Sequence, residues 1–398
     1  MRRIPAILGT SLVLAACADP VAPTSGLETT QLTAAQLFAN YVALGTSNSM
    51  GVQSAGVFAS AQRAAWPAQL ATRVGAPFTL PLVNDPGCGP PLLPPLATNL
   101  VLVAGFAALG EDLVSAVAST CAPLQAGVSL PTNSLAISGA RARDALRTTP
   151  EMEVARNARK GELYRRVLPP GHTQVTAMLA RQPTFVSVEL AANEVLPANT
   201  GLISKMTPFA EWQADYDQII AAVQSTGARA VLVGLPTRAA TFPSVRRARE
   251  FFNEWPDLLA LGITVSINCY FSSNYVFVPG YVLTLISKTP TTATCSNVPG
   301  QVDYVLTPSD MSAIDARMAQ MNAHIQSKAT ANGYAYFSLD ALYGLPKINF
   351  NLVDVLFSSA PFGPNISLDG VHPSAKGQSI LATAAAQAIS AKYGVTIP

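Results

Sequence analysis

The sequence predicts an α/β fold in which a parallel sheet is covered by helices on both faces. Two observations carry that expectation. Short apolar runs alternate along the chain with stretches whose apolar residues recur every three or four positions. The runs are apolar nearly throughout and lack the in–out alternation of half-exposed strands, so both of their faces are buried, as in a parallel sheet.

Tyr41-Val42-Ala43-Leu44-Gly45 reads as the first strand and runs into a Gly/Ser-rich turn. A helix is expected over residues 60–73. Residues 134–138 form a second short run ended by Gly139, and residues 185–190 a third that opens on Phe185. Thr207-Pro208 has the form of an N-cap followed by proline at the first helical position. Phe209, Trp212, Tyr216, Ile219, Ile220 and Val223 then line one helical face, and Gly227 is placed to end that helix. Residues 230–235 are a buried-type strand, 307–332 a helix opened by Thr307-Pro308, 334–339 the last strand, and Ala-rich 375–393 the closing helix.

Two inserts, 81–132 and 269–295, break this rhythm, and each contains two cysteines. The first holds the apolar run 100–109, which stops at Gly110-Glu111-Asp112; the second holds 275–283, which reads as a hairpin-like excursion. Four cysteines allow three pairings, and proximity in sequence favours Cys88–Cys121 and Cys269–Cys295. A metal site competes weakly, since no C-x-x-C or nearby histidine pattern supports one.

The globule is apolar, with 49% hydrophobic and 12% charged residues, yet no run after the N-terminal segment is long enough to span a bilayer. A formal net charge of +2 with no basic stripe argues against nucleic acid as a partner. At the N-terminus, Arg2 and Arg3 precede an apolar stretch, 4–16, too short for a membrane span and suited to a secretory signal. Leu14-Ala15-Ala16-Cys17 resembles the lipobox of bacterial lipoproteins. That resemblance implies cleavage after residue 16, lipidation with fatty acyl chains such as palmitate at Cys17, and anchoring in the cell envelope. Ala18 in place of Asp favours the outer membrane. Residues 17–33, rich in Pro, Thr, Ser and Ala, then read as a tether, and 34–398 as the folded domain.

Chemistry concentrates near the C-terminus, in Leu368-Asp369-Gly370-Val371-His372-Pro373-Ser374. Only His172, His324 and His372 occur in the chain. An Asp three residues before a His on a turn can reach its Nδ1, fix its tautomer and leave Nε2 to take a proton from a hydroxyl. The hydroxyl is expected from Leu44-Gly45-Thr46-Ser47-Asn48-Ser49-Met50-Gly51, which places Ser47 directly after the first strand, at the sheet edge where open α/β folds bind ligands. Ser49 is the rival. His324, on a helix with Met318, Met321 and Ile325, reads as packing or surface, and His172 as an incidental loop residue. Arg246, Arg247 and Arg249 read as a solvated helix face.

Taken together these blocks resemble the SGNH (GDSL-type) hydrolases. Gly45-Thr46-Ser47 with Gly51 is similar to the G-D-S-x-x-x-G block, and residues 134–140 to N-x-A-x-x-G-A. Ala191-Ala192-Asn193-Glu194 is similar to G-x-N-D, and Asp369 to His372 matches D-x-x-H in full. The resemblance spans residues 39–393. It implies a flavodoxin-like doubly wound sheet of about five strands and a serine ester hydrolase that needs no cofactor or metal. Ser47 would be the nucleophile, His372 the base and Asp369 its orienting partner. The N–H groups of Ser47 and Gly139 and the side-chain amide of Asn193 would form the oxyanion hole.

The sequence departs from the pattern at Thr46, Ala191 and Glu194, which stand for Asp, Gly and Asp. Those departures keep two other readings open, an inactive envelope binding protein of the same fold and an acyltransferase using the same residues. The implied substrate is a small-molecule, lipid or glycan ester, and the chain is taken to be a monomer.

Overall fold

Four parallel strands, β1 (Tyr41–Gly45), β2 (Phe185–Glu189), β3 (Arg229–Gly234) and β4 (Ala335–Ser338), lie side by side in that order. They belong to a computed structural model that describes residues 32–89, 91–93, 121–260, 262–286 and 291–398. Outside β1 the chain adds a fifth, short rung. Ala43 N–H donates to the Asn133 carbonyl at 2.9 Å, Leu135 N–H to Ala43 at 2.9 Å and Ile137 N–H to Gly45 at 3.0 Å. The run expected as a strand at 134–138 thus pairs with β1 in parallel, though only as an isolated bridge. The Gln174 side chain caps this edge, its amide donating to the Leu135 and Gly45 carbonyls.

Alternate residues of the strands enter two separate cores, which is why the runs read as apolar throughout. Val42, Leu44, Val186, Val188, Ala230 and Leu232 pack into one. Tyr41, Ala43, Phe185, Val231, Val233, Ala335 and Phe337 pack into the other. The helices that matter for the site are α1 (Ser47–Met50), α2 (Ala59–Ala64), α3 (Trp66–Arg73), α4 (Ala142–Arg147), α5 (Gln174–Arg181), α6 (Ala192–Val195), α7 (Phe209–Ser225), α8 (Pro308–Ala331) and α9 (Ala375–Tyr393). Residues of α4, α5, α7 and α8 fill the first core, and residues of α3 and α9 the second. The sheet is therefore doubly wound, the expected class, and Leu32–Pro398 form one compact unit.

The helix expected over 60–73 is two, broken at Ala65, whose extended backbone (ψ 141°) precedes Trp66-Pro67. A proline ring clashes with the carbonyl four residues back, so the helix restarts with Pro67 in its first turn. Thr207 does not cap α7, which starts at Phe209 after Pro208; its hydroxyl donates to Glu194 instead. Thr307 does cap α8, accepting from Asp310 N–H, and Ser374 caps α9, accepting from Gly377 N–H.

Both disulfides, Cys88–Cys121 and Cys269–Cys295, are formed as expected. The apolar run 100–109 of the first insert lies outside the described residues. The second insert corrects the hairpin reading. Tyr275–Phe277 is the middle strand of a small antiparallel sheet, between Val245–Arg247 and Val305–Leu306. The chain then turns into a helix, Val278–Ile286, rather than a returning strand. Pro279 has no N–H to extend a ladder but needs none in a first helical turn. Gly280 lets the Tyr304 ring lie against the helix, since a Cβ there would sit 2.2 Å from it.

Candidate active site

Asp369 and His372 are adjacent and buried, on the loop that leads into α9. Asp369 Oδ2 accepts from His372 Nδ1 at 2.9 Å, while Oδ1 accepts from the backbone N–H groups of His372 at 2.8 Å and Val371 at 2.9 Å. Burial pushes the Asp369 carboxyl up, but the charge of His372 and these hydrogen bonds outweigh it and hold the group below its ordinary range. The turn between them requires Gly370, at φ +71°, where a Cβ would meet the Phe362 ring at 2.9 Å.

Ser47 opens α1, one residue beyond an extended Thr46 and two beyond the end of β1. Gly51, at φ +82°, closes the turn, and a Cβ there would sit 2.5 Å from the Ala61 carbonyl oxygen. The histidine loop is stitched to this turn at several points. Ser54 N–H donates to Ser367 Oγ at 2.9 Å, Leu368 N–H to Ser54 Oγ at 3.4 Å, and Ala55 N–H to Asp369 Oδ2 at 2.6 Å. From α9, the Gln378 amide donates to the Asn48 carbonyl at 3.0 Å, and its oxygen accepts from Trp66 N–H at 2.9 Å. Tyr343 donates to the Val371 carbonyl at 2.7 Å.

Among the described residues Ser47 Oγ has no hydrogen-bond partner, His372 Nε2 included. Catalytic contacts are commonly long before substrate binds and tighten afterwards. Ser49, the rival hydroxyl, is committed elsewhere and donates to the Glu189 carboxylate at 3.0 Å.

Gly139 follows the rung at 134–137, beside the end of β1, with φ +72°. Its carbonyl accepts from Lys160 Nζ at 3.2 Å, and its N–H has no acceptor among the described residues. Asn193 lies on α6, just past the end of β2, and donates one amide hydrogen to the Ala140 carbonyl at 2.9 Å. That bond fixes the Gly139–Ala140 loop against α6 and leaves a second amide hydrogen. Glu194 ties the same region together, accepting from Ala142 N–H at 2.8 Å and Thr207 Oγ1 at 2.7 Å, with Arg141 Nε at 3.9 Å. Burial pushes its carboxyl up. The positions singled out from sequence thus gather at the C-terminal ends of neighbouring strands, Ser47 after β1, Gly139 after the outer rung and Asn193 after β2.

Sequence reading missed Glu189, Gln378 and Lys160, the side chains that hold these parts. Only Glu189 left a trace, as a carboxylate ending an otherwise uncharged strand. His324 is a packing residue, ringed by Phe209, Trp212 and Tyr216 and bonded to Asp217 at 2.7 Å. His172 sits on an exposed turn against the Pro170 carbonyl. Arg246 corrects the solvated-face reading. It is buried in the strand Val245–Arg247, where it donates to the Pro243 and Ile348 carbonyls, and only Arg247 of the pair faces solvent. Cys17 lies outside the described residues. Among the described residues no helix is long and apolar enough to cross a membrane.

No family model and no curated protein matches the chain. Solved structures similar to it include esterases and lipases. An acetylxylan esterase from Geobacillus stearothermophilus is 13% identical, with 65% of this chain and 71% of that one covered at a TM-score of 0.30. A candidate SGNH hydrolase from Slackia heliotrinireducens is also 13% identical, with 87% and 97% covered at 0.33. An extracellular lipase from Streptomyces rimosus is 15% identical, with 86% and 98% covered at 0.32.

Proposed function

We propose that this chain is a serine ester hydrolase of the SGNH kind, held in the bacterial envelope through Cys17. The observation that carries this reading is the Asp369–His372 pair, oriented through Nδ1 and sewn to the turn that presents Ser47. A serine hydroxyl is a poor nucleophile until a base is beside it. In the proposed reaction Ser47 Oγ attacks the ester carbonyl as its proton passes to His372 Nε2. The oxyanion is held by the N–H groups of Ser47 and Gly139 and the second amide hydrogen of Asn193. The intermediate then expels the alcohol, which takes the proton from His372. Water, deprotonated by the same imidazole, releases the acid and restores Ser47. Asp369 stays ionised throughout and steadies the imidazolium.

A second reading, a binding protein of the same fold that has lost the reaction, is favoured by the departures at Thr46, Ala191 and Glu194. Hydrolysis of p-nitrophenyl esters and labelling by a fluorophosphonate separate the two. The hydrolase reading expects both, and expects Ser47→Ala to abolish them. Undiminished turnover in Ser47→Ala would reject Ser47 as nucleophile, and a wild type that neither hydrolyses nor labels would favour the binding protein. For the anchor, Cys17→Ser is expected to move the protein out of the membrane fraction; an unchanged distribution would reject lipidation.

A further inference from the structure

Glu189, the last residue of β2, is buried beside the turn that carries Ser47. Its Oε2 accepts from the backbone N–H of Thr46 at 3.0 Å, the N–H of Ser49 at 3.3 Å and the Ser49 hydroxyl at 3.0 Å. The Thr46 hydroxyl donates across both carboxylate oxygens, at 2.8 and 2.9 Å. Ser47 therefore lies between two residues gripped by one carboxyl group. Gly45 makes the approach possible. A Cβ there would lie 2.5 Å from Ser49 Cβ and Oγ and 3.3 Å from Glu189 Oε2. The departure at Thr46 fits the same arrangement, since an Asp at 46 would set a second carboxylate against Glu189, whereas a hydroxyl offers it a donor.

We propose that Glu189 is the positioning residue for Ser47, fixing from the neighbouring strand the turn that an acidic residue at 46 would have to fix from within. This rests on Ser47 being the nucleophile. Glu189 touches no reacting atom. It acts by holding Thr46 and Ser49, and through them the direction of Ser47 Oγ and of its backbone N–H. The Tyr343 phenol also feels its charge, after that of Asp369, and is held by the Val371 carbonyl.

The test compares Glu189→Ala, Glu189→Gln, Thr46→Asp and the double variant Thr46→Asp/Glu189→Gln in the full chain. Hydrolysis of p-nitrophenyl acetate is followed from about pH 5 to 9, beside amide hydrogen exchange at residues 46 and 49. A glutamine can still accept from both backbone amides while turning its NH₂ toward the Thr46 oxygen. Glu189→Ala is expected to lose roughly 100-fold in kcat with KM within about 3-fold, and Glu189→Gln to stay within about 5-fold of wild type. Thr46→Asp is expected to make two carboxyl groups share a proton, so that activity falls as pH rises and that proton leaves; the double variant is expected to lack this fall. Unchanged kcat in Glu189→Ala, or the same pH profile for Thr46→Asp with and without Glu189, would overturn the proposal. A wild type that neither hydrolyses nor labels would sink the Ser47 reading separately. In that case exchange at 46 and 49 decides: faster by more than about 10-fold in Glu189→Ala, relative to amides of β3, is the expected result. Equal rates would overturn it.

Discussion

Ala55 donates its backbone N–H to Asp369 Oδ2 at 2.6 Å, the same oxygen that accepts from His372 Nδ1. To do so Ser54 and Ala55 both take left-handed backbone conformations, at φ +51° and +60°. Such conformations cost an L-residue about 1–2 kcal/mol, and glycine escapes that cost while adding about 0.5–1 kcal/mol of chain entropy to the unfolded state. Ala55→Gly is therefore expected to raise stability by up to about 1 kcal/mol, read by denaturant unfolding, with turnover unchanged. A destabilised variant would mean that the turn is not strained.

Each oxygen of Asp369 accepts two N–H groups, so an amide at this position must aim its NH₂ at donors in either orientation. Asp369→Asn is expected to lower kcat by roughly 10³–10⁴-fold through loss of the imidazole orientation. It should also cost about 1–3 kcal/mol in unfolding free energy. A variant with full activity would remove Asp369 from the proposed site.

The buried carboxyls divide in their response to pH. Asp369 is held below its ordinary value when folded, so its contribution to stability is present above the unfolded pKa and is lost as pH falls through the folded one. Glu189 and Glu194 are pushed up by burial, so their contribution is full below the unfolded pKa and is lost as pH rises through the folded one. Unfolding measured between about pH 4 and 7 should show Glu189→Gln losing less stability than wild type as pH rises. Parallel curves would show that Glu189 does not titrate in this way.

Gln378 satisfies the Asn48 carbonyl and the Trp66 N–H with one buried side chain. Gln378→Leu leaves the Trp66 N–H without an acceptor and the Asn48 carbonyl with only the 3.3 Å bond from Gly51 N–H, and is expected to destabilise by about 1–3 kcal/mol. Fluorophosphonate labelling should slow as well, because the Asn48 carbonyl belongs to the turn after Ser47. Labelling at the wild-type rate would confine Gln378 to a structural role.

The Cys269–Cys295 bridge closes a loop of sequence separation 26 within the second insert. Replacing both residues with serine is expected to cost about 3–4 kcal/mol on loop-entropy grounds. Turnover of p-nitrophenyl acetate at 25 °C should persist, since the insert supplies none of the proposed site residues. Loss of turnover by a folded variant would assign the insert a part in the reaction.

The sequence by itself determined the alternation of strands and helices and the local pairing of Asp369 with His372, while proximity favoured the two disulfide pairings that the structure forms. These follow from interactions between near neighbours: the periodicity of apolar side chains, a capping hydroxyl, and a carboxylate three residues from an imidazole. Only the tertiary structure decided what holds Ser47 in place. Glu189 lies 143 positions from Thr46, and Gln378 lies 330 from Asn48. No periodicity or spacing links such distant residues; they meet because β2 packs beside β1 and α9 lies across the turn. Tertiary structure also overruled local readings at two places, where Thr207 bonds Glu194 instead of capping its helix and Arg246 is buried among carbonyls. In both, a side chain at least partly withdrawn from water took the partner that packing offered, because a donor without an acceptor there costs more than the local preference it gives up.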